Sequence, residues 1–142
     1  MFTIIFPVLN ERLRLESGVT RTVEYLQSIA FEDYEIIIVD NGSEDETPQI
    51  AENLCKKYDK VKYERINVRG VGAAFRRGVE VSHGDVVGYM DIDLSTNIRH
   101  LGEAIHLFGT QPEIQYINGS RFARESDTRG RKWYRRITSQ GL

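Results

Sequence analysis

The 142-residue sequence has a single cysteine, Cys55, and lacks any apolar run that approaches the roughly 20 residues of a membrane-spanning helix. One cysteine excludes an internal disulfide framework and favours a reducing compartment. A positively charged leader ahead of an apolar stretch is also missing at the start, so no secretory signal is predicted. We therefore expect a soluble chain that is cytoplasmic or lies at the cytoplasmic face of a membrane.

Internal repeats, low-complexity stretches and interdomain linkers are not visible either. At this length the sequence predicts one domain that buries roughly 70% of its unfolded surface. The net charge of −2 is unevenly distributed, because residues 121–142 hold seven Lys or Arg against two acids, which gives them +5 and leaves −7 for residues 1–120. A basic end of this kind suits nucleic acid, anionic lipid or a phosphorylated small molecule, and composition alone does not choose among them.

Apolar runs rich in β-branched residues alternate with segments of helical period along the chain. This alternation predicts an α/β fold, in which βαβ units form a mostly parallel, Rossmann-like sheet flanked by helices. The predicted strands cover residues 2–6, 35–39, 61–66, 86–90 and 114–118.

Four helices are predicted between these strands from apolar residues at helical spacing. Thr47 and Pro48 are expected at the N-cap and the first position of the second helix. Gly84 is expected in the left-handed position after the third helix, and Gly109 is expected to close the fourth. The helical faces are marked by Val19, Val23, Leu26 and Ala30, by Ile50, Leu54, Cys55 and Tyr58, and by Leu101, Ile105 and Phe108.

Asp91 and Asp93 are the most informative residues, because they directly follow an apolar strand and are one residue apart. Two carboxylates at the mouth of a buried strand suit a hard divalent cation that is itself holding a diphosphate. The alternative is that Asp91 caps a loop and Asp93 is a solvated surface charge.

Three further segments with polar or glycine residues follow predicted strands. In an open α/β sheet, ligands bind at the carboxyl ends of the strands, where helix N-termini converge. We therefore expect all four segments to surround one ligand-binding crevice. The three segments are residues 7–11, 40–43 and 69–72.

Residue types within these segments suggest individual roles. Pro7 is expected to end the first strand, since it has no amide hydrogen to donate, so that Glu11 turns back toward the crevice. Gly42 and Ser43 are expected to form a tight turn that lets a backbone amide approach a flat ring. Asp40 is then expected to accept a hydrogen bond from a ring N–H, an arrangement that suits a nucleobase.

Gly70 and Gly72 resemble the start of a dinucleotide-binding fingerprint. Phe75 occupies the third glycine position, however, and the motif follows the third strand, so a nicotinamide or flavin site is not expected. Close backbone approach to a phosphate or ribose explains the two glycines better, with Arg69 or Arg76 adding charge.

Taken in order, the four segments resemble the nucleotide-sugar half of family 2 glycosyltransferases, which have the GT-A fold. The likeness covers nearly the whole chain and keeps both order and spacing. It is carried by Ile-Phe-Pro-Val-Leu-Asn-Glu at 5–11, Ile-Val-Asp-Asn-Gly-Ser at 38–43 with Asp45 and Thr47, the stretch 67–78, and Gly84-Asp85 running on to Asp91-Ile92-Asp93-Leu94.

Within that family the chain looks most like the polyprenyl-phosphate sugar transferases, the dolichol-phosphate mannose and glucose synthases. This narrower likeness lies in residues 119–122, Trp133, Arg135, Arg136 and Ser139, which resemble the stretch that grips the lipid phosphate in those enzymes. The alternative for the arginines is a solvated basic face.

The resemblance implies an inverting hexosyltransferase that uses a nucleotide diphosphate sugar, Mg²⁺ or Mn²⁺, and a polyprenyl or dolichyl phosphate acceptor. Asp91 and Asp93 would be the catalytic, metal-holding pair, and Arg121, Arg135 and Ser139 would hold the acceptor phosphate, which is anionic and needs no general base. It implies no nucleic-acid partner, contact with a membrane surface in the full-length protein, and leaves a homo-oligomer open. The donor-binding residues would be Pro7, Leu9, Asn10, Glu11, Asp40, Gly42, Ser43, Arg69, Gly70 and Gly72.

Two residues depart from the family pattern. Asn41 stands where a second aspartate is usual, which puts in doubt any role that needs charge at that position. Ser95 stands where mannose-type synthases tend to carry glutamine, which favours UDP-glucose over GDP-mannose. The chain also stops where family members continue, so residues 1–120 are expected to be the donor-binding core and 121–142 the start of an incomplete acceptor segment.

Three other functions remain open at this point. A sugar-hydroxyl acceptor, as in polysaccharide or glycan synthesis, would need a carboxylate base. A haloacid-dehalogenase-type phosphatase also uses Asp-x-Asp, but normally after the first strand, whereas here the pair follows the fourth. A noncatalytic nucleotide-sugar-binding module would need the donor site alone. For Asn10, Glu11 and Ser43, a turn or capping role is the simpler alternative.

Overall fold

The computed structural model describes residues 1–119, in which four strands and four helices alternate along the chain. This order confirms the α/β fold predicted from the alternating apolar patterns. None of the helices in this range is long and apolar enough to cross a membrane. The elements are β1 (Phe2–Val8), α1 (Leu15–Ser28), β2 (Tyr34–Asp40), α2 (Thr47–Lys57), β3 (Val61–Arg65), α3 (Val71–Val81), β4 (Val86–Tyr89) and α4 (Arg99–Thr110).

The four strands form one parallel sheet in the order β3-β2-β1-β4. β1 and β2 lie in the middle, and every residue of β2 is buried. Strands that are covered on both faces have continuous apolar runs rather than alternating ones, which is why the central strands were visible in the sequence. The chain moves outward from β1 through β2 to β3, and then returns to the other side of β1 for β4.

Alternate residues of the central strands contribute to two apolar layers. Ile4 and Ile36 belong to the larger layer, which also contains buried residues of α1, α2 and α4. Ile5 and Ile37 belong to the smaller layer, which includes Ala74 of α3. Helices therefore cover both faces of the sheet, and packing against them fixes the positions of the strand ends.

Pro7 does not end β1, contrary to the prediction. The strand continues to Val8, and Pro7 is paired in register with Val39. The Ile5 carbonyl accepts a hydrogen bond from the Met90 amide, on the β4 side of the strand. In a strand, the backbone groups of every second residue point to the same side, so the Pro7 nitrogen also points toward β4. The pairing of β1 with β4 has already ended at Ile5. Its missing N–H therefore interrupts no ladder bond.

The strand predicted over residues 114–118 is not formed, since residues 114–119 have no regular secondary structure. Tyr116 in this segment is 79% exposed. A β-strand exists only where a neighbour supplies ladder partners, and the sheet described within residues 1–119 consists of β1 to β4. The apolar residues of this segment were therefore an insufficient signal for a strand.

Gly84 does not take the left-handed conformation that was predicted after α3. The helix ends at Val81, and the next residue is extended. Gly84 is needed for close packing instead, because a Cβ at this position would collide with the Thr3 hydroxyl and would lie 2.8 Å from the Thr3 amide nitrogen.

The ends of two other helices differ slightly from the prediction. α2 begins at Thr47 itself, with Glu46 in the N-cap position, and Pro48 lies in the first turn as expected. α4 continues through Gly109 to Thr110, so this glycine lies inside the helix rather than closing it.

Candidate functional site

The carboxyl ends of β1 and β4 lie side by side, at the point where the strand order reverses. β1 leads into Leu9, Asn10 and Glu11, and β4 leads into Asp91 and Asp93. Open α/β sheets bind ligands in the crevice at such a switch point. β2 and β3 end at the same edge, so the structure places all four sequence segments around it.

The Asp40 carboxylate, at the end of β2, is fully buried and hydrogen-bonded through both oxygens. Oδ1 accepts from the amide and the hydroxyl of Ser43, at 2.7 and 2.6 Å. Oδ2 accepts from the Tyr63 hydroxyl at 2.9 Å and from the Arg65 guanidinium at 3.4 Å. A buried carboxylate with four donors is a fixed structural centre, so Asp40 holds the loop after β2 in one conformation.

Tyr63 and Arg65 belong to this centre, although sequence reasoning missed them. Arg65 is the register partner of Asp40 in the β2–β3 pairing, and it also donates to the Ser43 carbonyl at 2.9 Å. Burial, together with the hydrogen bond to Asp40, raises the pKa of Tyr63 to about 12, so its hydroxyl remains a donor at neutral pH. Strand register brings these residues together, and no local motif marks them.

Hydrogen bonds between side chains and backbone join the loops that follow β1 and β2. The Asn10 amide donates to the Ser43 hydroxyl oxygen, and the Asn10 side-chain oxygen accepts from the Glu44 amide, both at 2.9 Å. The Glu11 amide donates to the Thr47 hydroxyl at 2.8 Å. Asn10 has a φ of 54°, a left-handed conformation that asparagine tolerates better than most residues. Asn10 and Ser43 thus position the loops, which is compatible with a further role in binding.

Charged side chains near these loops are paired with one another. Arg14 donates two hydrogen bonds to the Glu11 carboxylate, at 2.7 and 3.0 Å. Arg69 forms an ion pair of 3.0 Å with Glu44. Both arginine side chains are more than half exposed, so these pairs are weak and can be exchanged for contacts with a ligand.

Gly42 and Gly70 have φ angles of 85° and 142°, which residues with side chains rarely adopt. Gly42 permits the sharp turn between Asp40 and Ser43. Gly70 directly precedes α3, and Gly72 lies in its first turn. Apart from the adjoining backbone and chain neighbours, a Cβ at Gly70 or Gly72 would have no atom within 4 Å, so the backbone of both residues is open to close approach.

Asp91 and Asp93 are exposed, whereas Ile92 between them is buried. The Leu94 amide donates to the Asp91 carbonyl at 3.1 Å, which closes a tight turn in which Leu94 has a φ of 49°. The Asp93 carboxylate accepts from the Ser95 amide at 2.9 Å. The turn therefore presents two carboxylates at the surface while its middle residue enters the core.

Within residues 1–119, no group of three His, Cys, Asp or Glu side chains is arranged to hold a metal ion. Asp91 and Asp93 supply two carboxylates, which are hard oxygen ligands of the kind that Mg²⁺ prefers. Mg²⁺ is usually bound by one or two carboxylates, with phosphate oxygens and water completing its octahedron. The pair thus fits a metal that arrives with a diphosphate.

Asn41 is buried next to the end of β1. Its backbone amide donates to the Val8 carbonyl at 2.9 Å, and its side-chain nitrogen donates to the same oxygen at 3.4 Å. Within residues 1–119, its Oδ1 is the one buried side-chain polar atom without a hydrogen-bond partner. An aspartate here would lose the donor and place a charge against the Val8 carbonyl, so the neutral amide suits this backbone better.

The predicted acceptor-phosphate residues Arg121, Arg135 and Ser139 lie outside the described residues, as do the accompanying Trp133 and Arg136. Their roles therefore stay predictions.

Known proteins resemble this chain in both sequence and structure. It is 31% identical over 139 residues to a dolichol-phosphate mannosyltransferase of Pyrococcus furiosus, which covers 98% of this chain and 38% of that protein. It is 36% identical over 101 residues to a dolichyl-phosphate beta-glucosyltransferase of Mus musculus, which covers 66% of this chain and 31% of that protein. The chain thus spans less than two fifths of the length of these relatives.

Among solved structures, a glucosyl-3-phosphoglycerate synthase from Mycobacterium tuberculosis, determined with Mn²⁺, UDP and glucosyl-3-phosphoglycerate, has a TM-score of 0.60. Its identity to this chain is 23%, and the alignment covers 78% of this chain and 40% of that one. At this identity the likeness shows the fold alone, which is the GT-A fold that the sequence predicted.

The assignment to a family rests on a match to nearly the whole chain. Residues 3–141 match the model named glycosyl transferase family 2. That span contains all four segments that meet at the carboxyl edge of the sheet. The chain belongs to glycosyl transferase family 2.

Proposed function

We propose that the full-length protein transfers a hexose from a nucleotide diphosphate sugar to a polyprenyl phosphate such as dolichyl phosphate. The observation that carries this proposal is the meeting of the four segments at the switch point between β1 and β4. Family membership supports the glycosyltransferase reaction. The names of the two sequence relatives support a dolichyl phosphate acceptor.

The loops after β1 and β2 would bind the nucleoside. Because all of its hydrogen bonds are made within the protein, Asp40 would act on the base through Gly42 and Ser43, whose backbone it fixes. Direct contact between Asp40 and a ring N–H would require Tyr63 or Arg65 to release the carboxylate. Leu9, Asn10 and Glu11 would form the opposite wall.

The phosphates and the metal would bind at the two remaining segments, residues 69–72 and the Asp91–Asp93 turn. The open backbone of Gly70 and Gly72, with Arg69 beside it, would face the ribose or the diphosphate. Asp91 and Asp93 would hold Mg²⁺ or Mn²⁺ against the diphosphate, and the bound metal would supply positive charge that stabilises the leaving nucleotide. A fold neighbour solved with Mn²⁺ and UDP supports this class of metal.

The acceptor would be held by the basic residues beyond the described range. Arg121 and Arg135 would orient the lipid phosphate through charge-assisted hydrogen bonds, and Ser139 would add a hydroxyl. A phosphate oxygen is already anionic at neutral pH, so its attack on the sugar would require no general base. The resemblance to family 2 glycosyltransferases implies that the product anomer would be inverted. The membrane surface at the cytoplasmic face would present this acceptor.

The sequence favours UDP-glucose over GDP-mannose as donor, because Ser95 lacks the side chain expected of mannose-type synthases. The two sequence relatives are named for one sugar each, so they do not decide the question. A sugar hydroxyl remains the second candidate acceptor. Its reaction would need a carboxylate base outside the residues assigned above.

A thermal-shift panel tests the donor half of this proposal. UDP-glucose, GDP-mannose and CDP-glucose would each be added with and without Mn²⁺. A ligand at 100 times its Kd stabilises the folded state by about 2.7 kcal/mol, so one base should stand out and respond to Mn²⁺. If none of the three nucleotide sugars raises the melting temperature, the donor site is rejected.

Mass spectrometry of reactions with the full-length protein tests the acceptor half. Incubation with the selected donor and a polyprenyl phosphate should give the hexosyl lipid phosphate. Donor binding without any sugar transfer would favour a noncatalytic nucleotide-sugar-binding module. Transfer to a sugar hydroxyl alone would favour the second candidate.

A further inference from the structure

Gly18, in the first turn of α1, lies directly against Ile92, the residue between the two exposed aspartates. A Cβ at Gly18 would collide with the Ile92 carbonyl oxygen, and would lie 2.8 and 3.0 Å from the Cδ1 and Cγ1 atoms of its side chain. Real Cβ atoms essentially never come so close to other atoms. The absence of a side chain at Gly18 therefore creates a notch in the helix that Ile92 fills.

Local helix stability gives no reason for this glycine. Gly18 is buried on the core-facing side of α1, between Leu15 and Val19 of the larger apolar layer. Glycine inside a helix is less favourable than alanine, and alanine is the natural residue for a buried helix position. A glycine on the packed face of a helix thus indicates a need for close approach by a neighbour.

The neighbour in this notch is the anchor of the aspartate turn. Ile92 is 4% exposed and belongs to the larger apolar layer, whereas Asp91 and Asp93 on either side are exposed. Its carbonyl oxygen faces the helix, so the backbone that links the two aspartates is itself in contact with α1. Displacing Ile92 would therefore move both carboxylates.

The same helix carries the opposite wall of the crevice. α1 starts four residues after Glu11, and the Leu15 amide donates to the Glu11 carbonyl at 2.9 Å. Within its first turn, α1 thus contacts the nucleoside side of the proposed site through Leu15 and the aspartate side through Gly18. The distance between the two sides is set along one rigid element.

We infer that Gly18 is a positioning residue, which sets the distance of the Asp91–Asp93 pair from the nucleoside loops so that one metal-bound nucleotide diphosphate spans both. This inference rests on the proposed function, because it assigns a metal to the aspartate pair. It predicts that a methyl group at Gly18 reduces the increase in nucleotide affinity that the metal provides, while leaving the nucleoside loops intact.

The test is isothermal titration of UDP and GDP into Gly18→Ala, with and without Mn²⁺. The informative quantity is the metal gain, the ratio of nucleotide affinity with Mn²⁺ to that without it. The gain should fall by about 10- to 100-fold, as for other changes that disturb the support of metal ligands. Metal-free affinity should stay within about twofold, since the three atoms nearest to the new methyl group all belong to Ile92 rather than to the nucleoside loops.

Gly109→Ala is the matched control. It also introduces a methyl group inside a helix, but apart from its chain neighbours and the adjoining helix backbone no atom lies within 4 Å of it. Its metal gain should equal that of the unmodified protein. A loss of gain as large as in Gly18→Ala would show that alanine in a helix has a general effect, and would overturn the inference.

Ile92→Val keeps the inference testable if Gly18→Ala does not fold. Valine removes the Cδ1 atom and loosens the fit in the notch without any collision. Ile36→Val removes the same methyl group from the same apolar layer, at a residue of β2, which β1 separates from the strand that leads into the aspartate turn. Ile92→Val should reduce the metal gain, and Ile36→Val should leave it unchanged.

The possible outcomes separate this inference from the function on which it rests. If the unmodified protein shows no metal gain with either nucleotide, the metal role of the aspartates and the inference both fail. If it shows a gain that Gly18→Ala and Ile92→Val retain in full, the inference alone is overturned. Loss of the gain in the notch variants with metal-free affinity preserved supports it.

Discussion

The hydroxyl of Tyr63 donates a hydrogen bond of 2.9 Å to the buried carboxylate of Asp40, and so ties β3 to the loop that follows β2. The other oxygen of that carboxylate accepts hydrogen bonds from the amide and the hydroxyl of Ser43. Ser43 in turn accepts from the Asn10 amide in the loop after β1. A residue on an edge strand thus helps to position both loops assigned to the nucleoside.

Tyr63→Phe should weaken nucleotide binding equally with and without Mn²⁺. It removes one of four donors to Asp40, so we expect a loss of about 0.5 to 1.5 kcal/mol in unfolding free energy and about 2- to 10-fold in UDP or GDP affinity. Affinity for free pyrophosphate should be unchanged, because the proposed phosphate site lies at Gly70, Gly72 and the Asp91–Asp93 pair. Titration calorimetry and urea unfolding measure these quantities.

Tyr34→Phe is the control for that change, since the Tyr34 hydroxyl makes no hydrogen bond among residues 1–119 and lies at the opposite end of β2. It should alter neither affinity. If Tyr63→Phe weakens pyrophosphate binding as much as nucleotide binding, the Asp40 centre serves the phosphates, and its assignment to the base is wrong.

Asp93→Ala should abolish the Mn²⁺-dependent part of nucleotide binding and leave the fold intact. It removes a hard oxygen ligand from an exposed turn and creates no cavity in the core. Circular dichroism and calorimetric titration of UDP with Mn²⁺ test this expectation. Asp59→Ala, at an exposed aspartate before β3, should change neither signal. Full Mn²⁺-dependent affinity in Asp93→Ala would dispose of the metal assignment.

Arg121→Ala and Arg135→Ala in the full-length protein should raise the apparent KM for polyprenyl phosphate, or lower kcat/KM for it. Donor affinity should stay within about threefold, because each arginine would contact the lipid phosphate alone. Arg135→Lys should restore only part of the loss if the contact is bidentate, since an ammonium cannot reproduce the planar fork. Lost donor binding with normal acceptor kinetics would assign the basic residues to the nucleotide instead.

Glu35, at the amino-terminal end of β2, is a buried carboxylate that is only 4% exposed. Three hydrogen bonds hold it in place. Its carboxylate accepts from the Thr3 hydroxyl at 2.8 Å, the His83 amide at 2.6 Å and the Lys62 ammonium at 2.7 Å. Burial alone would raise its pKa, but the Lys62 and His83 hydrogen bonds outweigh it and lower the pKa from 4.5 to about 2.

Acid should therefore destabilise the protein partly through Glu35. Because the folded protein binds this proton more weakly than the unfolded chain, the stabilisation is complete above the unfolded pKa and disappears as pH falls toward the folded pKa. Glu35→Gln should flatten the loss of unfolding free energy between pH 4.5 and 2 by about 1 to 3 kcal/mol, measured by urea unfolding. Glu24→Gln, at an exposed helix position, should keep the original slope. An equally steep loss in Glu35→Gln would contradict this explanation.

The fold was largely predictable because its two central strands are buried on both faces. Ile36–Val39 is an unbroken apolar run and Phe2–Phe6 is interrupted only by Thr3, and such runs are typical of strands buried on both faces. The position of the crevice was equally accessible, since polar residues after parallel strands must meet at one edge. Residues 114–118 show the limit of this reasoning, because an extended segment becomes a strand only when another strand pairs with it.

The side-chain contacts that fix the site could not be read from the sequence. Arg65 reaches Asp40 because of the β2–β3 register, and Gly18 meets Ile92 because α1 packs against the turn after β4. Both contacts join residues that lie far apart in the chain. Sequence spacing reports neighbours within one element, whereas these contacts depend on how separate elements pack.

The incomplete coordination offered by Asp91 and Asp93 has a thermodynamic consequence. If a metal needs the diphosphate to complete its ligands, whatever factor Mn²⁺ adds to nucleotide affinity must equal the factor that the nucleotide adds to Mn²⁺ affinity. Occupancy by metal would then follow the cellular concentration of nucleotide sugar rather than that of the ion alone. Under the proposed function, Asp91 and Asp93 would hold the cation more weakly once the nucleoside diphosphate has left.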